Sequence, residues 1–189
     1  MIILLGFPKS GTTSFHELFR NLGFNSYHWK KQNNYIGTMI YKNKNNNKPL
    51  LNDFIENDVI TQMDVCIDYI NAYWPQIIDY KRLYNENPDS IFILNKRDPE
   101  KLLSSFKRCN KLNERLIKYN PELLINNTDK CFIDFVIKHY TDVETFFSNC
   151  PNSKFIKFDI DHDKLEILNK LIDLKEIKEL PHANKTKIL

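Results

Sequence analysis

Residues 1–19 read MIILLGFPKSGTTSFHELF, and few folds accept such a start. The apolar run at 1–5 has the length and composition of a buried strand. From 12 to 23, Phe15, Leu18, Phe19 and Leu22 fall at i, i+3, i+4 and i+7, the period of a helix with one apolar face, and Gly23 is a good stop. Gly6 and Gly11 bracket the loop between. A strand that turns through a short loop straight into a helix gathers unpaired backbone N–H groups at the positive end of a helix dipole. That is an anion site.

The alternation continues. Strands are expected at 24–28, 58–63, 90–96 and 154–159, and helices over 69–85, 99–119, 131–149 and 161–171. Asp98 is a suitable N-cap and Pro99 a suitable first helical residue. The stretch YKNKNNNKP at 41–49 reads as a solvated loop. Strands alternating with helices imply right-handed crossovers. The expected class is α/β, a P-loop NTPase-like three-layer fold whose mainly parallel sheet is flanked by helices. At 189 residues the chain is expected to form one domain, 1–189. Ligands of such sheets bind beyond the carboxyl ends of the strands, here after 1–5 and after 90–96.

Composition narrows the function. With 42% hydrophobic and 27% charged residues the chain belongs to the folded, soluble class. A net charge of +3 helps an anionic ligand approach but is too small to imply nucleic acid. No apolar run reaches the roughly 20 residues of a membrane helix, and Ile2 to Leu5 is too short for a signal peptide. A cytoplasmic protein is expected. The four cysteines are scattered, which predicts reduced thiols and no metal site.

The first loop departs from the G-x-x-x-x-G-K-[ST] pattern of nucleotide triphosphatases. Thr12 and Thr13 follow Gly11 where Lys-Ser/Thr would stand, and the loop lysine is Lys9. A triphosphatase sets its lysine at the β/γ-phosphates and a hydroxyl on magnesium. The run P-K-S-G-T-T after an N-terminal strand resembles the loop of sulfotransferases that use 3′-phosphoadenosine 5′-phosphosulfate (PAPS). The resemblance implies that Pro8, Lys9, Ser10, Gly11, Thr12, Thr13 and Ser14 bind the 5′-phosphosulfate, with Lys9 at the bridging oxygen, where charge appears as the bond to sulfur breaks. A sulfuryl group carries less charge than a terminal phosphoryl group, so no metal is required.

The second motif is LNKRDPEKLLSSFKR at 94–108. Arg97 precedes the helix and Ser105 returns to its face about two turns later. Sulfotransferases carry a similar Arg-(Asn/Asp)-Pro…Ser element for the 3′-phosphate of PAPS, which implies that role for Arg97 and Ser105. The segments GFPKSGTTS, YHW, MDVCIDY, NPDSIFILNKRDPEKLLSS and LPHANKT follow the order seen in one branch of the family. Several relatives have a tryptophan after Thr-Thr, stacked on the adenine. Here Ser14 stands in its place, and the adenine platform is not legible.

Transfer to a hydroxyl or amine needs a base. His28, at the end of the second strand, is favoured. Asp64, after the third strand, is the alternative, and Asp68 follows it. His16 lies off the apolar stripe and is expected at the surface. Trp29, Lys30 and Lys31 form either a solvated basic edge or the wall of an acceptor path. Lys185 and Lys187 either close over the cofactor or belong to an ordinary charged terminus. His139, His162 and His182 show no pairing that suggests a metal or a triad. The acceptor is expected to be a small molecule or a glycan. Two other readings stay open: a nucleotide kinase or triphosphatase with an atypical loop, and a non-catalytic nucleotide-binding protein on the same scaffold.

Overall fold

The computed structural model describes residues 1–124, 126–181 and 183. His182, Lys185 and Lys187 lie outside the described residues. The first strand, β1 (Ile2–Leu4), leads through the loop to α1 (Thr12–Asn21). There follow β2 (Asn25–His28), β3 (Lys30–Lys31), β4 (Asn34–Tyr35), α2 (Ile36–Asn45) and β5 (Asp58–Gln62). A short hairpin, β6 (Val65–Cys66) and β7 (Ala72–Tyr73), precedes α3 (Pro75–Ile78) and α4 (Tyr80–Glu86). The remaining elements are β8 (Ile91–Lys96), α5 (Pro99–Arg108), α6 (Leu112–Tyr119), α7 (Asp129–Ser148), β9 (Lys154–Asp159) and a 3₁₀ turn at Leu165–Lys170.

The main sheet runs β4-β3-β2-β5-β1-β8-β9. Its five central strands, β2, β5, β1, β8 and β9, are parallel, and β3 and β4 add an antiparallel edge. Alternation along β1 explains why its sequence is apolar throughout. Ile2 and Leu4 pack with Phe15, Leu18 and Phe19 of α1, while Ile3 and Leu5 pack with Leu102 and Phe106 of α5 and Val136 of α7. Both faces are covered, as in other parallel sheets. The expected three-layer α/β architecture is the one observed. Because β1 lies between β5 and β8, the loops that leave β1 and β8 emerge side by side at the carboxyl edge.

Helix α1 ends as expected at Gly23 (φ 90°), where Phe24 N–H donates to Phe19 O across the turn (2.9 Å). Four expectations need correction. The region 69–85 is not one helix. Asp68 accepts from the N–H groups of Ile70 and Asn71 (2.9 and 2.8 Å), a turn that starts β7, and Pro75 opens the four-residue α3. The helix expected over 99–119 breaks at Asn110 and Lys111, both left-handed (φ 47° and 50°). Residues 41–45 of the expected loop belong to α2, whose Ile36 and Ile40 are fully buried. Only Leu165–Lys170 of the helix expected at 161–171 is helical, because Asp161 is engaged elsewhere: its carboxylate accepts from Asp98 N–H (3.0 Å) and Lys101 (2.9 Å). The β3–β4 hairpin was not expected. It turns through Gln32 and Asn33, both at positive φ, without the Asn-Gly pair that signals such turns. No helix among the described residues is long and apolar enough to cross a membrane.

Candidate active site

The loop after β1 is built inward from its apolar residue. Phe7 is fully buried, and its ring meets Phe135 (5.5 Å between centroids), His139 (5.1 Å) and Tyr140 (5.9 Å) edge-on. This anchor holds residues 8–14 at the carboxyl edge of the sheet, with Lys9, Gly11 and Thr13 partly exposed and Pro8, Ser10, Thr12 and Ser14 buried. Gly6 is required by a close approach: a Cβ there would lie 2.1 Å from the Asn95 carbonyl oxygen. Gly11 (φ 79°) opens α1 in a left-handed conformation, and a Cβ there would press on Ile160 at 3.2 Å. Lys9 also has positive φ (70°). For a lysine that conformation costs on the order of 1–3 kcal/mol, strain of the kind that collects at functional sites.

Asn95, fully buried near the end of β8, ties the loop down. Its Oδ1 accepts from Gly6 N–H (2.9 Å), and its Nδ2 donates to Ser10 O (2.9 Å) and Ser10 Oγ (2.7 Å). Ser10 Oγ donates in turn to Phe7 O. Nothing in the sequence reading marked Asn95. The available signal was a lone amide in an otherwise apolar strand, SIFILNK. We expect Asn95→Leu to lower unfolding stability by roughly 2–6 kcal/mol, since it strands Gly6 N–H and Ser10 O, and each buried orphan costs about 1–3 kcal/mol. Asn95→Asp keeps the acceptor for Gly6 but turns a carboxylate oxygen on Ser10 O in a fully buried site, and should also destabilise near neutral pH. Urea titrations that place both variants at the wild-type midpoint would exclude this role.

Arg97 joins the two motifs. Its Nη1 donates to the Lys9 carbonyl (2.6 Å). Its backbone is held by Tyr140, whose hydroxyl accepts from Arg97 N–H (3.1 Å) and donates to Arg97 O (3.4 Å). Arg97 Nε is buried without a hydrogen-bond partner among the described residues. Ser105 lies on α5, the helix that Arg97 introduces, and is buried.

His28 ends β2 beside the loop. Its Nε2 lies 3.2 Å from Thr12 Oγ1 and 3.3 Å from Thr13 Oγ1. Burial, then the neighbouring His16, then Lys9 push its pKa down to about 4. His16 is not the surface residue expected. It is half-buried, bonds Ser26 Oγ through Nδ1 (2.9 Å), and its ring sits 5.7 Å from that of His28. Asp64 is buried between two amides, with Gln76 Nε2 on Oδ1 (3.1 Å) and Gln62 Nε2 on Oδ2 (3.4 Å). Burial pushes its carboxyl up to about 7 against those hydrogen bonds. Asp68 serves the turn before β7. Lys31 is committed to Asp58 (3.2 Å), while Lys30 lies over the rings of Trp29 and Tyr35. Among the described residues no group of three or more His, Cys, Asp or Glu is placed to hold a metal ion.

The fold thus brings Thr12, Thr13 and His28 together, and Lys9 with Arg97. A cationic loop, a second cation at the adjoining strand end and a histidine on the loop hydroxyls stand together at the carboxyl edge of the sheet. A family model described as a sulfotransferase domain matches residues 1–150. No curated protein matches the chain.

Proposed function

Because the chain belongs to the sulfotransferase domain family, we propose that it moves the sulfuryl group of PAPS to a hydroxyl or amine of a small-molecule or glycan acceptor. The observation that carries this reading is Arg97. It spends one nitrogen on the Lys9 carbonyl and keeps a buried Nε unspent, and the adjacency of β1 and β8 supports reading their two loops as neighbouring anion sites. PAPS has two separated anionic groups, at the 5′ and 3′ positions; a nucleoside triphosphate has one polyphosphate. In this reading the backbone N–H groups from Ser10 to Ser14, Thr12 among them, and the Thr13 hydroxyl cradle the 5′-phosphate, Pro8 shapes the turn into Lys9, and Arg97 and Ser105 take the 3′-phosphate.

The chemistry balances within the site. The acceptor oxygen or nitrogen forms a bond to sulfur as the bond from sulfur to the bridging oxygen breaks. Lys9 stabilises the charge that collects on that oxygen, which leaves in 3′,5′-ADP. His28 takes the acceptor proton. Negative charge held against Thr12 and Thr13 favours the imidazolium and raises its pKa towards the working range of a base. Asp64, enclosed by amides, is the second candidate for the base.

The test is thermal shift with 3′,5′-ADP, 5′-AMP and magnesium–ATP, since a ligand specific to the folded state raises the midpoint. Stabilisation by magnesium–ATP alone would overturn the proposal. Arg97→Ala should weaken 3′,5′-ADP by about 1.5–3 kcal/mol, the range of a charge-assisted hydrogen bond, and change 5′-AMP little. Equal losses for both ligands in calorimetry would show that Arg97 does not read the 3′ position.

A further inference from the structure

Behind the loop, the polar side chains form one directed line. Thr12 Oγ1 stands 3.0 Å from Gln62 Oε1 and 3.2 Å from His28 Nε2, and Gln62 Nε2 stands 3.4 Å from Asp64 Oδ2. An amide donates only from nitrogen and accepts only at oxygen. With Nε2 turned to the Asp64 carboxylate, Gln62 presents Oε1 to Thr12. The Thr12 hydroxyl has one proton and spends it on that oxygen. Towards His28 it then offers only lone pairs; Thr13 Oγ1, 3.3 Å from the same nitrogen, can accept as well as donate, so an Nε2–H serves both hydroxyls, whereas a bare Nε2 would face a Thr12 lone pair.

We propose that Gln62 is a positioning residue that fixes His28 as the Nε2–H tautomer, so that His28 can accept a proton only at Nδ1. The hydrogen-bond wiring stands on its own; its meaning for turnover rests on the reading of His28 as the base. On that reading the acceptor meets the ring at Nδ1, while Nε2–H braces the hydroxyls of the loop.

The direction survives protonation of Asp64. Gln76 Oε1 is buried without a partner, while Gln76 Nε2 donates to Asp64 Oδ1. A proton on Oδ1, with the Gln76 amide turned over, gives that orphan oxygen a donor and leaves Oδ2 accepting from Gln62. The other titratable groups facing His28 are His16 from α1, engaged with Ser26, and Lys9 from the loop. Neither supplies an acceptor that would favour Nδ1–H.

The experiment is ¹⁵N NMR of the histidine ring nitrogens at pH 8 in the ligand-free protein. Wild type should show His28 as Nε2–H, and an Nδ1–H pattern overturns the proposal. In Gln62→Met the Thr12 proton is released to turn to His28 Nε2, and the major tautomer should become Nδ1–H. An unchanged pattern in that variant removes Gln62 from the role. Asp64→Asn, which can accept from Gln62 in the same way, should keep Nε2–H; reversal there would also count against the wiring. A purely structural role for Gln62 would change stability without reversing the tautomer. The wild-type spectrum decides even where Gln62→Met does not fold. Neither PAPS nor acceptor is used, so a failed sulfotransfer assay and a failed tautomer assignment are separate results.

Discussion

Lys9→Ala is expected to lower sulfuryl transfer by about 10²–10³-fold, the cost of removing one donor at a developing oxyanion, while 3′,5′-ADP binds within about tenfold of wild type. The asymmetry follows from when the charge exists. In bound PAPS the bridging oxygen is shared between phosphorus and sulfur and carries little charge. It becomes a phosphate oxygen only as the sulfur bond breaks, so an ammonium placed there acts mainly on the transition state. On the proposed reading, ground-state binding draws instead on the backbone N–H groups at the start of α1, the Thr13 hydroxyl and Arg97, which the substitution leaves in place. Lys9 sits at φ 70° with its carbonyl fastened by Arg97, so the loop conformation is held from outside the side chain. Alanine tolerates that φ no better than lysine does, and the backbone should persist. Single-turnover measurements with labelled PAPS and an accepted acceptor make the test. A variant with near-normal turnover ends the assignment of Lys9, and a variant that loses ligand and turnover together shows a binding role.

The strongly patterned parts of this fold were legible. A strand buried on both faces must be apolar at consecutive positions, and residues 1–5 and 90–96 could be little else. Helix α1 has a complete apolar stripe and a glycine stop. Where local and tertiary signals diverge, the reading failed. Residues 69–85 carry helix-forming side chains, but Asp68 captures two backbone N–H groups and Pro75 restarts the chain, an outcome decided by single hydrogen bonds. The polar tract at 41–49 looked like a loop because the large apolar residues of the buried face of α2, Ile36 and Ile40, lie outside it, and the one it adds, Asn43, is polar. At the site, the residues proposed to bind the anion were marked by the order of Lys, Gly and Thr and by Arg-Asp-Pro. Those that hold them in place were not. Asn95, Gln62 and Tyr140 are ordinary residues made specific by partners 85, 50 and 43 positions away, and one sequence does not reveal such pairings.

His28→Ala and Asp64→Asn should separate the two carriers of acid–base chemistry by moving in opposite directions. For His28→Ala, turnover should fall by about 10²–10⁴-fold, the usual contribution of a positioned base, with 3′,5′-ADP affinity retained. For Asp64→Asn, turnover should stay within about tenfold and the protein should become more stable. The sign follows from where each proton is bound. The Asp64 carboxyl is pushed from 3.8 up to about 7 in the folded chain, so folding favours its neutral form. Its stabilising contribution is complete below about pH 4 and is lost as the pH rises through 7. That difference corresponds to about 4 kcal/mol. Asparagine has no charge to bury, accepts from Gln62 as the carboxylate does, and offers its own N–H to the orphan Gln76 oxygen. Its advantage should therefore be small near pH 4 and reach roughly 4 kcal/mol by pH 8. His28 runs the other way. Its pKa is held down from 6.5 to about 4, so its contribution is present above 6.5 and is lost as the pH falls through 4. Urea titrations at pH 4, 6 and 8 resolve both slopes. If Asp64→Asn is no more stable than wild type at pH 8, the carboxylate is not a buried charge. If instead it loses turnover as His28→Ala was expected to, while His28→Ala stays active, the base is Asp64 and the acceptor must reach behind Gln62 to meet it.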